Sequence, residues 1–108
     1  RRIETEAVRE ASKRSGIIIA TGGGVVTQKR NIPYLRQNGR IFYLHCLPSD
    51  LEVTPDRPLS ASREVINAMY EVRHPLYTEA ADAIIEVSHQ DPPQTAADEL
   101  IKTFTELI

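Results

Sequence analysis

Apolar residues along this chain follow two patterns that alternate. Ile3, Ala7, Val8 and Ala11 share one helical face, with Glu4, Glu6, Arg9, Glu10 and Lys13 largely off it. Ser15-Gly16 closes that helix. Ile17-Ile18-Ile19-Ala20 then forms an unbroken apolar run without alternation, which predicts a buried strand of a parallel sheet. Asn31 is placed to N-cap a helix reaching Asn38, with Pro33 tolerated in its first turn and Gly39 ending it. Arg40-Ile41-Phe42-Tyr43-Leu44-His45 predicts a second buried strand, and Leu47 to Val53 a short helix entered through Pro48. Thr54 to Ser60, with two prolines around Asp56-Arg57, reads as a surface loop.

Val65, Met69 and Val72 mark a further helix that stops before Pro75, and Tyr77 to Ala81 a short helical piece. Ala83-Ile84-Ile85-Glu86-Val87 predicts a third strand, followed by a polar loop through Pro92-Pro93. Ala97, Leu100, Ile101, Phe104 and Ile108 make a helical stripe, with Thr95 and Asp98 spaced as a capping box. The order helix, strand, helix, strand, helices, strand, helix argues for an α/β fold with a parallel sheet and right-handed crossovers.

The bulk numbers narrow the function classes. A chain of 108 residues is one domain at most, and 41% hydrophobic with 26% charged residues is ordinary for a soluble protein. A formal net charge of -2 without single-sign blocks gives no footprint for nucleic acid or an anionic membrane. No apolar run reaches membrane-span length, and no signal-peptide pattern opens the chain. Cys46 is the only cysteine and reads as an inert buried thiol, consistent with a reducing cytoplasm. The chain opens on Arg1-Arg2-Ile3-Glu4 without a methionine, already inside a helical pattern, as though cut mid-domain.

Four features could carry chemistry. Thr21-Gly22-Gly23-Gly24 follows the first apolar run, where open α/β sheets bind ligands at strand ends; its bland reading is a tight strand-to-helix turn. Arg57 sits in the proline-bounded loop, able to swing over a phosphoryl group or to be a solvated turn residue. Arg73, in Arg73-His74-Pro75-Leu76-Tyr77, could grip an anion bidentately or complement a helix dipole. Arg1 and Glu4 could belong to a site or form a surface ion pair.

Together these stretches resemble the second part of shikimate kinase. Arg1-Arg2-Ile3-Glu4 is similar to the end of the family's F-R-x-x-E motif, and Thr21-Gly22-Gly23-Gly24-Val25-Val26 to its glycine-rich substrate loop. Arg57-Pro58-Leu59 resembles the R-P-L of its lid, Arg73-His74-Pro75-Leu76-Tyr77 its R-x-P-L-Y, and Ala80-Ala81-Asp82 leads into the last strand as in the family. The resemblance implies a three-layer α/β/α, P-loop nucleoside-monophosphate-kinase-like fold, here a partial domain over 1–108 with a lid at 54–60.

It further implies ATP-dependent phosphorylation of the shikimate 3-hydroxyl, in chorismate and aromatic amino-acid synthesis. Arg1 and Arg73 would clamp the substrate carboxylate, with Gly22, Gly23 and Gly24 shaping the bare loop and Glu4 orienting Arg1. Arg57 would act catalytically and on ATP as the lid closes, and Gln90, in Ser88-His89-Gln90-Asp91-Pro92, would contact adenine. Shikimate and ATP are the implied small-molecule partners, and a fusion to another pathway enzyme stays open.

The sequence also departs from the family. The motif G-x-x-x-x-G-K-S/T is absent, and with it the phosphate lysine and the hydroxyl for Mg²⁺, whose ligands are expected outside this chain, which offers no metal ligands of its own. The aspartate that engages the substrate hydroxyl would precede Arg1. The lid is short, with no arginine between Leu51 and Thr54. In the resembled fold the P-loop strand lies between the strands at 17–20 and 41–45, so without it both lack a neighbour and the chain alone is expected neither to fold stably nor to catalyse. The alternatives are a non-catalytic shikimate-binding module and part of another small-molecule P-loop kinase, such as a gluconate kinase.

Overall fold

A computed structural model describes residues 2–50, 63–88 and 90–107. Four helices and two strands alternate along them: α1 (Arg2–Ala11), α2 (Asn31–Arg36), β1 (Phe42–His45), α3 (Arg63–Ala80), β2 (Ala83–Glu86) and α4 (Pro93–Leu107). Single 3-10 turns cover Gly23–Thr27 and Pro48–Asp50.

β1 and β2 pair in parallel, in the register Phe42 with Ala83 through His45 with Glu86. Successive strand residues face opposite sides, so Tyr43 and His45 share one face, Phe42 and Leu44 the other. α3 covers the first: Tyr43 lies against His74 and Tyr77, and His45 against Tyr70. α4 covers the second, where Phe104 meets Phe42 with ring centroids 6.3 Å apart. Helix, sheet and helix therefore make three layers, and the crossover through α3 satisfies the expectation of a parallel α/β unit. Asp82 fastens the strand starts: its carboxylate accepts the Ile41 N–H at 2.7 Å, and its own N–H donates to the Ile41 carbonyl at 2.7 Å.

A second packing centre joins α1, the 3-10 turn, α2 and the end of α3. Val8, Val25, Val26 and Ala80 are buried there, with Ile32, Tyr34, Leu35, Leu76 and Tyr77 packed against them. Arg36 donates to the Ala80 carbonyl at 2.9 Å, closing the C-terminus of α3, where carbonyls lack helical donors.

Several elements differ from expectation, each for a local reason. Residues 17–20 form no strand: among the described residues nothing pairs with them, and Ile17, Ile18 and Ile19 are 46%, 96% and 36% exposed. β1 is only partly covered on its α4 side, where Phe42 is half-buried and Leu44 exposed. Asn31 is not a cap. It is the first residue of α2, which ends at Arg36 rather than Asn38, and its fully buried amide donates to the Val25 carbonyl at 2.9 Å.

α3 runs unbroken through Pro75, and residues 77–80 are its last turn rather than a separate piece. Pro75 removes one donor, but Pro75 and Glu71 are both exposed, so the freed carbonyl lies on the solvent side. The packed stripe of α3 is Ile66, Tyr70, His74, Tyr77 and Ala80; Val65 and Val72, which the apolar spacing picked out, face outward. α4 starts at Pro93, whose fixed φ suits a first helical position, so Thr95 lies inside the first turn and donates its N–H to the Pro92 carbonyl instead of capping. Asp98 accepts from Gln94. Cys46 is half-buried just beyond β1 rather than sealed in the core. Of the expected short helix at 47–53, Leu47 is not helical and Pro48–Asp50 form a 3-10 turn; residues 51–53 and the loop at 54–60 lie outside the described residues.

Candidate functional site

The glycine run folds into a 3-10 turn because Gly22 enters it extended, at φ -70° and ψ 156°, and the Val25 N–H reaches back to the Gly22 carbonyl at 3.2 Å. Thr27 Oγ donates to the Gly24 carbonyl at 2.6 Å, and the buried Asn31 amide holds the Val25 carbonyl. The loop is thus restrained from its C-terminal side by polar groups of its own segment.

Three side chains from distant elements crowd its other side. A Cβ added at Gly23 would stand 2.9 Å from the Tyr77 hydroxyl and 3.4 Å from Arg73 Nη1. A Cβ at Gly22 would stand 3.6 Å from a Glu4 carboxylate oxygen. Arg73 and Tyr77 are one turn apart on α3, on neighbouring positions of the same helix face. α1 supplies Glu4. A carboxylate, a guanidinium and a phenol therefore converge on stripped main chain, an arrangement suited to a small organic acid: the guanidinium pairs with its carboxylate and the glycine lets the backbone come close.

Of the residues singled out from sequence, Gly22, Gly23 and Arg73 are brought together with Glu4, and Gly24 completes the turn. Arg1 and Arg57 lie outside the described residues. Gln90 is elsewhere, on an exposed turn where its N–H approaches Ser88 Oγ at 3.2 Å. That turn borders a cleft of about 400 Å³ lined by Leu44, Glu86, Ser88, Asp91, Pro92 and Leu100, among others; Gln90 is not part of its lining. Among the described residues no group of three or more His, Cys, Asp or Glu side chains could hold a metal ion. No described helix is long and apolar enough to cross a membrane.

Sequence reasoning missed the polar aromatic cluster behind the site. His45, buried at the end of β1, places Nδ1 2.7 Å from Glu86 Oε1 and Nε2 2.8 Å from Tyr70 Oη. Tyr70 stacks on His74 at 4.7 Å, and His74 Nδ1 lies 2.9 Å from Tyr43 Oη. Burial pushes the Tyr43 hydroxyl up to about 12, reinforced by the phenols of Tyr70 and Tyr77 and the charges of Glu86 and Cys46. Tyr43 in turn packs on Tyr77 at 4.9 Å. The available signal was positional: 43 and 45 alternate on one strand face while 70, 74 and 77 recur on one helix face.

Comparison with known proteins gives this geometry a context. The family model described as shikimate kinase matches residues 1–105. Shikimate kinase of Burkholderia lata is 39% identical over 90 residues, covering 77% of this chain and 49% of that protein. Shikimate kinase of Caldanaerobacter subterraneus subsp. tengcongensis is 38% identical over 114 residues, covering 99% of this chain and 66% of that protein. Among solved structures, shikimate kinase from Acinetobacter baumannii in complex with shikimate superposes with a TM-score of 0.81 at 28% identity, over 95% of this chain and 62% of that one. The chain spans about half the length of several curated relatives it matches. Its three layers are accordingly part of the P-loop nucleoside-monophosphate-kinase-like fold of that enzyme. With agreement running almost end to end, the chain belongs to the shikimate kinase family.

Proposed function

We propose that this chain is the substrate-clamp and lid portion of an ATP-dependent kinase that phosphorylates the 3-hydroxyl of shikimate. The observation that supports the reading best is the close approach of Arg73 to Gly23 within a family match spanning residues 1–105. The relative from Acinetobacter baumannii was solved with shikimate, a ring bearing one fixed carboxylate. In this chain the Arg73 guanidinium would take that carboxylate, with Arg1 as the second arm and Glu4 holding Arg1 in place. Gly23, with no side chain, would let the ring lie against the backbone, and Gly22 and Gly24 would shape the turn. Arg57, in a lid at 54–60, would close over the nucleotide and neutralise phosphoryl charge.

Phosphate binding and Mg²⁺ coordination would fall to a P-loop, a motif that residues 1–108 do not contain. The cleft beside Ser88 and Pro92, with Gln90 at its border, is the place where this chain would meet adenine. A cytoplasmic setting fits a kinase of a small metabolite carrying one cysteine.

The test is turnover by the full-length gene product with ATP and shikimate. Arg73→Ala removes a charge-assisted pair and should raise KM for shikimate on the order of 10- to 100-fold, leaving KM for ATP within about twofold. Equal weakening of both substrates, or turnover with gluconate and not shikimate, would overturn the assignment.

A further inference from the structure

Arg73 accounts for one side chain that α3 sends to the glycine loop; Tyr77 is the other, and the clamp as proposed gives it no role. Its hydroxyl donates to the Gly23 carbonyl at 2.6 Å, a bond between residues 54 positions apart. Gly23 is the residue whose added Cβ would collide with that hydroxyl and press on Arg73 Nη1. No glycine of the run has a positive φ, so no left-handed geometry holds the loop in shape. Three consecutive glycines have the largest backbone freedom a chain can have, and something must remove it.

The peptide unit is planar, so a carbonyl held at Gly23 also fixes the direction of the Gly24 N–H, which points the opposite way. One hydroxyl therefore orients a whole backbone unit at the guanidinium. Tyr77 can do this because its ring is supported: Tyr43 packs on it at 4.9 Å, and Tyr43 is tied to His74 on the same helix. Tyr77 and Arg73 ride on one uninterrupted helix through Pro75, so helix geometry sets the spacing of their backbones, one turn apart on the face toward the loop.

We infer that Tyr77 is a positioning residue: its hydroxyl tethers the Gly23 peptide next to Arg73 and thereby sets the affinity of the loop for the acid substrate. The inference rests on the proposed shikimate clamp, and acts through Gly23 and Arg73 rather than on the substrate itself.

Tyr77→Phe in the full-length gene product tests it, with Tyr70→Phe as a control that removes a comparable phenol bond, to His45, away from the loop. Amide hydrogen exchange over 22–27 should quicken about fivefold or more in Tyr77→Phe, the factor for one neutral hydrogen bond, with β1 and α1 unaffected. KM for shikimate should rise by a similar factor while kcat and KM for ATP stay within about twofold; Tyr70→Phe should leave both KM values unchanged. Unaltered exchange in Tyr77→Phe overturns the tether. Faster exchange with an unaltered shikimate KM, in an enzyme that does turn shikimate over, overturns its role in affinity. Faster exchange in a protein inactive on shikimate upholds the tether and removes the proposed function instead.

Discussion

Gly22 and Gly23 are neighbours in one glycine run, yet adding a methyl group to each should have opposite outcomes. At Gly23 the new Cβ would sit 2.9 Å from Tyr77 Oη, closer than carbon and oxygen tolerate, and 3.4 Å from Arg73 Nη1. Arg73 is long and can yield. Tyr77 is stiff, packed against Tyr43 and bonded to the very carbonyl of residue 23, so relief requires breaking that bond or displacing the ring. The lost bond costs about 1 kcal/mol, and overpacking about 1–3 kcal/mol. Alanine's smaller freedom in the unfolded chain offsets about 0.4–1 kcal/mol.

Gly23→Ala should therefore destabilise by about 1–3 kcal/mol, and, by releasing the carbonyl that Tyr77 holds, weaken shikimate binding by about fivefold or more, the factor for one neutral hydrogen bond. At Gly22 the backbone is extended, a conformation any residue adopts, and the nearest atom is 3.6 Å away, an ordinary contact with the end of the flexible Glu4. Gly22→Ala should be neutral or stabilising by up to about 1 kcal/mol. Urea unfolding midpoints and calorimetric titration with shikimate, both on the full-length gene product, read the two variants side by side. Equal damage at both positions would refute the reasoning, because loop flexibility rather than close approach would then explain the glycines.

Two further outcomes follow from other parts of the molecule. Because burial holds the Tyr43 proton up to about 12, the folded form keeps it where the unfolded form releases it near 10. The associated stability is complete below pH 10 and disappears as pH rises toward 12, so Tyr43→Phe should flatten the fall in urea midpoint across that window; parallel falls in both proteins would contradict it. The isolated 108-residue polypeptide should show no cooperative thermal transition, because among the described residues its sheet has two strands and its most apolar run is uncovered. A sharp calorimetric peak would count against this.

The helices α1 and α4 and the strands β1 and β2 were readable because helix and strand periods differ, although of the apolar α1 face only Val8 is buried, Ile3 and Ala7 being exposed. What the local pattern could not reveal was partnership. Ile17-Ile18-Ile19 has the composition of a buried strand, but a strand exists only beside another, and none of the described residues lies there. Val65 and Val72 looked like the inner face of α3, whereas Tyr70, His74 and Tyr77 hold that place because β1 meets them with hydrogen-bonding rings of its own. Pro75 signalled a stop that solvent exposure of its turn makes unnecessary. Gly22, Gly23 and Arg73 were legible as a group only through their order as motifs, since chain spacing alone does not bring residue 23 to residue 73. Tyr77 was visible in R-x-P-L-Y without any indication that its hydroxyl reaches back across 54 positions.

Ile18, 96% exposed between two further isoleucines, has a consequence for the cell as well as for the fold. A short, uncharged, β-branched stretch whose main chain pairs with no other described residue is a template on which another copy can add, strand upon strand, into a fibril. Proteolysis that left this region bare would therefore produce seeds for aggregation, and a lysine in place of Ile18 would act as a gatekeeper against them.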